Sequence, residues 1–273
     1  MRKIFRRIIL LFALLFGAAQ LSIVHCQLSI ERVSTHTTLF GAGRVNHLDT
    51  YLSPMEYQGP QLTFMNETSR NLQRNKHVLF QTLLQGELSY TDNPSQNAHD
   101  MGGSVRYDAG WGRQWKNIPW KGLDLTVGGM AGGTVGFLYN NRNGNNPAQA
   151  RANLTTSVFA RADYHFKVKK QKLGLHYQAH LPLLGFAFMP QYGQSYYDIF
   201  DRGNFHHNLR CTHPGNALSL RQQLLFDFPV RHARLSVGYL SDLRQLNTNG
   251  IRQHQYNRAF VIGYVRQITL SRK

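Results

Sequence analysis

The sequence predicts an all-β fold, an up-and-down antiparallel outer-membrane β-barrel of about 10 strands, within a range of roughly 8 to 12. Three observations carry that expectation. In Ala148–Val168 one alternate set is mostly apolar or small (Ala148, Ala150, Ala152, Leu154, Thr156, Val158, Ala160, Ala162, Tyr164, Phe166, Val168), and Gln149, Arg151, Asn153, Thr155, Ser157, Phe159, Arg161, Asp163, His165 and Lys167 alternate with them. A period of two sends successive side chains to opposite faces of a strand, whereas a helix would scatter both sets. The same alternation recurs along the chain in stretches long enough to cross a bilayer at a tilt, about 9 to 11 residues in the hydrocarbon. Finally, short and long connections follow one another between those stretches, as the two ends of such a barrel require.

Taken in order, residues 1–26 read as a secretory signal peptide. Arg2, Lys3, Arg6 and Arg7 give a positive start, residues 8–16 an apolar run, and Gly17, Ala18 and Ala19 a small-residue cleavage site, with a second candidate after Cys26. A single domain over 27–273 is expected to follow. The apolar run is short for a spanning helix and nothing later reaches 18 uninterrupted apolar residues, so a membrane-bound chain would have to span as a barrel. Cleavage leaves Cys211 alone, which excludes an internal disulfide framework. Cys26 is a poor candidate for a lipid-modified terminus because His25 precedes it.

The 273 residues carry a formal charge of +17, 12% aromatic residues, 24 glycines and only 16% charged residues. Such a charge suggests nucleic acid first. The cations, however, are dispersed singly through alternating strands, a distribution that fits lipid headgroups, lipopolysaccharide or an anionic solute, and no nucleic-acid partner is expected.

Strands are expected over 37–45, 61–69, 78–90, 105–115, 123–139, 148–168, 173–188, 218–228, 233–239 and 260–270. In 123–139 the second face carries Gly128, Gly132 and Gly136, which leaves room inside a tightly curved wall. Between the strands, residues 71–76, 117–121, 169–171 and 229–232 read as short turns, and 46–60, 92–100, 140–147, 189–216 and 244–255 as long polar loops. The long ones, with Asn143, Ser195 and Asn249, are expected outside, and the turns with Arg74, Lys170 and Arg231 in the periplasm. The terminal Leu270-Ser271-Arg272-Lys273 lacks the closing aromatic residue that such barrels often carry.

The inward face would hold Arg106, Asp108, Arg151, Arg161, Asp163, His165, Arg221 and Asp227, together with Lys167, His176, His180 and Arg234. Either these pair across a plugged lumen, or an excess of cations lines a narrow passage that concentrates anions. On the expected face assignment, Ala160→Arg meets lipid at a cost of about 2 to 4 kcal/mol, and Arg161→Gln is the milder change.

Leu48-Asp49-Thr50-Tyr51-Leu52-Ser53-Pro54, Arg142-Asn143-Gly144-Asn145-Asn146-Pro147, Tyr192-Gly193-Gln194-Ser195-Tyr196-Tyr197-Asp198-Ile199-Phe200, Asp227-Phe228-Pro229 and Phe260-Val261-Ile262-Gly263 together resemble an uncharacterised Bacteroidota family of exported, outer-membrane-type barrels, the domain-of-unknown-function family DUF3316. The resemblance runs from about Phe40 to Leu270. It implies no activity, and it implies a Gram-negative envelope.

Catalytic patterns are weak. Ser195, Asp201, His206, His207, Cys211 and His213 share one loop, but no Gly-x-Ser-x-Gly elbow is present and no His and Ser stand two apart on a strand. His206, His207, Cys211 and His213 are of zinc- or copper-ligand type, but solvated loop histidines are the favoured reading. No enzyme, metal or cofactor is therefore expected, with a barrel enzyme acting on lipid or lipopolysaccharide as the alternative. A mouth formed by Asp49, Tyr51, Arg142, Asn143, Asn145, Gln194, Tyr196, Tyr197 and Asp198 is the expected ligand site. Flat Tyr rings and paired Asn and Gln amides suit a sugar, or an anionic ligand beside Arg142; the competing reading is that the tyrosines pack the loops as a lid.

Overall fold

Alternation of side chains about an extended backbone sets the architecture. The computed structural model describes residues 32–72, 77–144, 146–231 and 233–270. The expected leader 1–26 and the mouth residue Asn145 lie outside these. The unit Arg32–Thr269 comprises β1 (Arg32–Asp49), β2 (Ser53–Asn71), β3 (Val78–Asp92), β4 (His99–Trp115), β5 (Leu123–Asn140), β6 (Ala148–Val168), β7 (Gln171–Phe188), a short helix α1 (Tyr196–Phe200), β8 (Leu209–Thr212), β9 (Ser219–Val230), β10 (Ala233–Thr248) and β11 (Ile251–Leu270).

Apart from the short β8, neighbours in sequence are neighbours in the sheet, every registered pair is antiparallel, β1 lies beside β11, and the β6–β7 pairing joins the remaining ends. The result is a closed antiparallel barrel of ten strands, with β8 as an added short segment on β7. Closure removes the sheet edges, each of which would otherwise expose a row of unpaired N–H and C=O groups.

β6 occupies the residues from which it was expected, and its two faces sort as alternation requires: Gln149, Ser157, Phe159 and Asp163 are buried, and Leu154, Val158, Ala160 and Tyr164 are exposed. A Cβ at Gly128 or Gly132 would come 2.2 Å from the carbonyl oxygen of Trp111 or Tyr107 on β4, so glycine there permits the close, curved approach of β4 and β5.

Two of the expected long loops are strand. Residues 46–60 carry β1 on to Asp49 and resume as β2 at Ser53, with a hairpin of only 50–52, and residues 244–255 belong to β10 and β11 about a turn at 249–250. The reason is physical. At this end both faces of the strands are polar, with His47 and Asp49 inward and Asn46 and Glu56 partnered outside, so hydropathy stops alternating while the hydrogen-bond ladder continues. Strict alternation of loop length is lost with them. Residues 189–218, which contain α1 and β8, form the one extended connection among the described residues.

Inside, Leu39, Met65, Leu83, Leu225, Leu240 and Val261 form a small apolar layer. Polar and charged side chains fill the rest.

Candidate functional site

Two features of the barrel have functional character: the filled lumen and the covered mouth at the end that holds residues 189–218. The lumen is built by inward positions of strands far apart in sequence. Arg161 of β6 donates to Glu67 of β2 (2.6 Å) and to Asp163 (2.8 Å). His176 adjoins Asp163, and its Nε2 lies 3.0 Å from Asp227, which Arg234 approaches at 3.5 Å. His165 sits exposed toward the end of β6, its ring edge-on to His176.

Farther along the axis, Arg221 is wholly buried and donates to Gln85 (2.9 Å) and Gln223 (2.8 Å), while Gln223 donates to Glu67. Arg106 pairs with Asp108 on its own strand, and Arg244 with both Asp242 and Glu87. Near the mouth Arg151 reaches Asp49 (3.2 Å), to which Gln253 also donates. His47 shares a 2.9 Å hydrogen bond with Asp100, and Asn140 donates to both Asp100 and the Tyr57 hydroxyl.

An interior rich in uncompensated cations is not what these residues make. Among the described residues, Asp49, Glu67, Glu87, Asp100, Asp108, Asp163, Asp227 and Asp242 are buried, against Arg106, Arg151, Arg161, Arg221, Arg234 and Arg244 inside. Carboxylates outnumber guanidiniums, and most of the charges are paired. Sequence reading missed Glu67, Glu87, Asp100 and Asp242 because it weighed one strand at a time. One signal was available: Arg106/Asp108, Arg161/Asp163 and Asp242/Arg244 each stand two apart, and therefore on one face of a strand. Since Arg161 answers two carboxylates, Arg161→Gln is expected to cost more than the loss of an unpaired lumen charge.

At the mouth, Tyr51 donates from its hydroxyl to the Gln194 carbonyl (2.7 Å) and meets Tyr196 edge-on at 6.0 Å. Asn143 donates to Leu52 O (3.0 Å), and Asn249 donates to the carbonyls of Met189 and His207. Tyr51, Leu52, Leu138, Met189 and Ile251 are buried together, with Tyr196 and Leu246 against them. The structure thus gathers Asp49, Tyr51, Asn143, Gln194 and Tyr196. Arg142 binds Asn97 of the neighbouring turn instead, and Tyr197 is exposed beneath the Arg202 guanidinium. Asp198 accepts from the Ser195 hydroxyl, and Ser195 caps α1 by accepting from Asp198 N. That engages the loop serine in a helix cap. His206, His207, Cys211 and His213 form no group of three or more metal-type ligands among the described residues.

Burial, with the Asp49 carboxylate nearby, pushes the Tyr51 phenol up to about 12, and burial likewise raises that of Tyr196. Both therefore keep their protons. The Tyr196 hydroxyl can donate to Gln149 Oε1 (3.1 Å) while accepting from Ala150 N (2.6 Å). Tyr196→Phe is expected to lower stability by about 1 kcal/mol, by loss of these hydrogen bonds, and Tyr197→Phe to leave it unchanged. Equal midpoints for the two variants in chemical denaturation would remove Tyr196 from the lid.

A family model described as "Protein of unknown function (DUF3316)" matches residues 7–273. No curated protein matches the chain. Among solved structures, it is similar to the outer membrane protease OmpT from Escherichia coli, at 6% identity over 90% of this chain and 99% of that one, TM-score 0.46. It is also similar to the transport unit of the autotransporter AIDA-I from Escherichia coli, at 10% identity over 89% and 94%, TM-score 0.42. A third is the translocator domain of the autotransporter NalP from Neisseria meningitidis, at 9% identity over 91% and 92%, TM-score 0.35. At these scores the likeness carries no argument about activity, and the barrel stands on its own strand pairing.

Proposed function

The chain belongs to the DUF3316 family, whose description assigns no activity, and from the chemistry of its barrel we propose that it is a non-enzymatic integral protein of an outer membrane, closed to free diffusion and presenting a lidded binding mouth outside. One observation carries the reading: the surface is inverted relative to a soluble protein. Phe40, Leu62, Leu154 and Phe260 are 58%, 62%, 68% and 76% exposed on the outer wall, while the charges lie within. A contiguous apolar exterior is costly in water and is what a bilayer accepts.

Trp111, Trp115 and Tyr164 lie toward one rim and Tyr90 and Tyr139 toward the other, while Phe40, Tyr107, Tyr239 and Phe260 lie near the strand centres. Side chains with an apolar ring and a polar tip favour the two interfaces of a membrane. No helix among the described residues is long and apolar enough to cross, so the spanning elements of this reading are the strands. The ion-paired lumen supports closure. The polar groups gathered with Tyr51 and Asn143 support recognition of a sugar or an anionic group at the mouth.

Whole-cell labelling tests location and orientation together. In a Cys211→Ser background, needed because Cys211 is exposed, an impermeant maleimide is expected to label Arg202→Cys on the long connection and not Lys170→Cys in the β6–β7 turn. Labelling of position 170 alone would reverse the orientation, and recovery of the chain in the soluble fraction would end the membrane reading.

A further inference from the structure

The barrel wall is interrupted at one place. β7 pairs with β9 from Gly174↔Asp227 to His180↔Arg221, and with β8 from Gly185↔Thr212 to Phe188↔Leu209. Residues 181–184 between these ladders have no registered partner on that side. Pro182 falls in this stretch and brings no N–H. The chain opposite turns away: Ala217 N donates to His213 O, and Gln245 and Asn247 of β10 donate to the carbonyls of Leu218 and Asn216. On the β6 side the register shifts at Thr156/Ser157, leaving Leu183 as an extra residue in β7.

Behind the break lies a cavity of about 150 Å³. Its lining includes Pro182, Leu183, Leu184 and Ala217 from the broken stretch, and Arg106 and Arg151. Leu183 and Leu184 are exposed. Arg151 donates to Asp49 and Gln255 and keeps a buried Nε without a hydrogen-bond partner, and Arg106 makes no hydrogen bond among the described residues other than that to Asp108. Glu87, the carboxylate in the same wall, is engaged by Arg244, Asn257 and Ser104. The cavity is therefore lined both by guanidinium groups and by the branched apolar side chains of the broken stretch of β7.

We propose that this break is a lateral doorway that holds a single-chain amphiphile with an anionic carboxylate or phosphate head, the head on Arg106 and Arg151 and the chain leaving between β7 and β9 over Leu183 and Leu184. The inference rests on the membrane reading, since a doorway in the wall opens onto lipid only if the wall is in lipid. A guanidinium presents paired donors that match a carboxylate or phosphate, and the acyl chain keeps its apolar surface among leucines and lipid.

The test uses the full chain refolded into phosphatidylcholine vesicles, its folded state read by unheated against heated gel mobility, and a dodecanoic acid carrying a photoreactive diazirine as probe. Crosslinks are expected to map to residues 181–184 or 213–219. Dodecanoate and dodecyl phosphate are expected to compete at least tenfold better than dodecanol, and the ratio between them identifies the preferred head. Arg106→Gln/Arg151→Gln is expected to cut labelling at least tenfold. Ala217→Trp, which leaves the ion pairs in place and narrows the doorway, is expected to do the same. Labelling spread over the outer wall and indifferent to either variant would overturn the proposal, as would equal competition by dodecanol, or inorganic phosphate competing as well as dodecyl phosphate. A chain that fails to enter vesicles sinks the membrane reading instead, which separates the two failures.

Discussion

Glu87→Leu is expected to destabilise the folded barrel by about 3 to 5 kcal/mol, the range for removing one partner of a buried ion pair. Glu87 is buried and accepts from Arg244 (2.8 Å), Asn257 (3.0 Å), Ser104 (3.1 Å) and Gln85. Leucine fills similar space, but Arg244 then keeps only Asp242 and the amide donors lose their acceptor. Adding Arg244→Met is expected to recover part of the loss, because the penalty comes mainly from the charge left unpaired. Urea titration of the refolded protein measures both. A single variant within about 0.5 kcal/mol of the parent would mean that the lumen is wet enough to solvate these groups. The same variant also tests closure: planar-bilayer conductance should rise for Glu87→Leu above a parent that conducts poorly, and an equally open parent would contradict a lumen closed by its ion pairs.

Ala160→Arg is expected to cost about 2 to 4 kcal/mol, and Ala148→Arg at the start of the same strand no more than about 1 kcal/mol, because the penalty for a lipid-facing cation falls from the bilayer midplane to the interface. Both alanines are exposed and on the outward face of β6, whose centre lies near Val158. Depth is therefore the variable that separates them. Equal, small costs for the two in vesicles would mean that the outer wall of β6 does not meet hydrocarbon.

Where a strand crosses the apolar belt, its sequence was readable. β6 was found to its ends because small and apolar residues on one side faced charge on the other over its whole length. The inward glycines of β5 were readable for the same reason. Beyond the belt the signal vanished, since His47 and Asp49 are as polar as their outward neighbours, and β1, β2, β10 and β11 were cut short. β8 was missed because four residues, Leu209–Thr212, are too few to show a period. At the mouth, proximity in space was foreseen for Tyr51, Asn143 and Tyr196, but which of them touch was not. Contact depends on register: Tyr196 meets Tyr51 and Gln149, while the adjacent Tyr197 turns out to solvent. Pairing across the lumen was one of the two readings of the interior charges, but several of the partners could not be named, because they lie on distant strands, as with Arg161 and Glu67.

Those distant pairings constrain how the protein reaches its final place. Arg151 meets Asp49, Arg161 meets Glu67 and Arg244 meets Glu87, each from β-strands that are joined only once the sheet has curled round. A lone hairpin pushed into hydrocarbon would carry its half of several pairs unmatched, at several kcal/mol for each bare charge. Insertion strand by strand is thus uphill at every stage before the last. On the membrane reading proposed above, the chain is expected to curl and cross together, with the β1–β11 seam formed while the inner face is still wet.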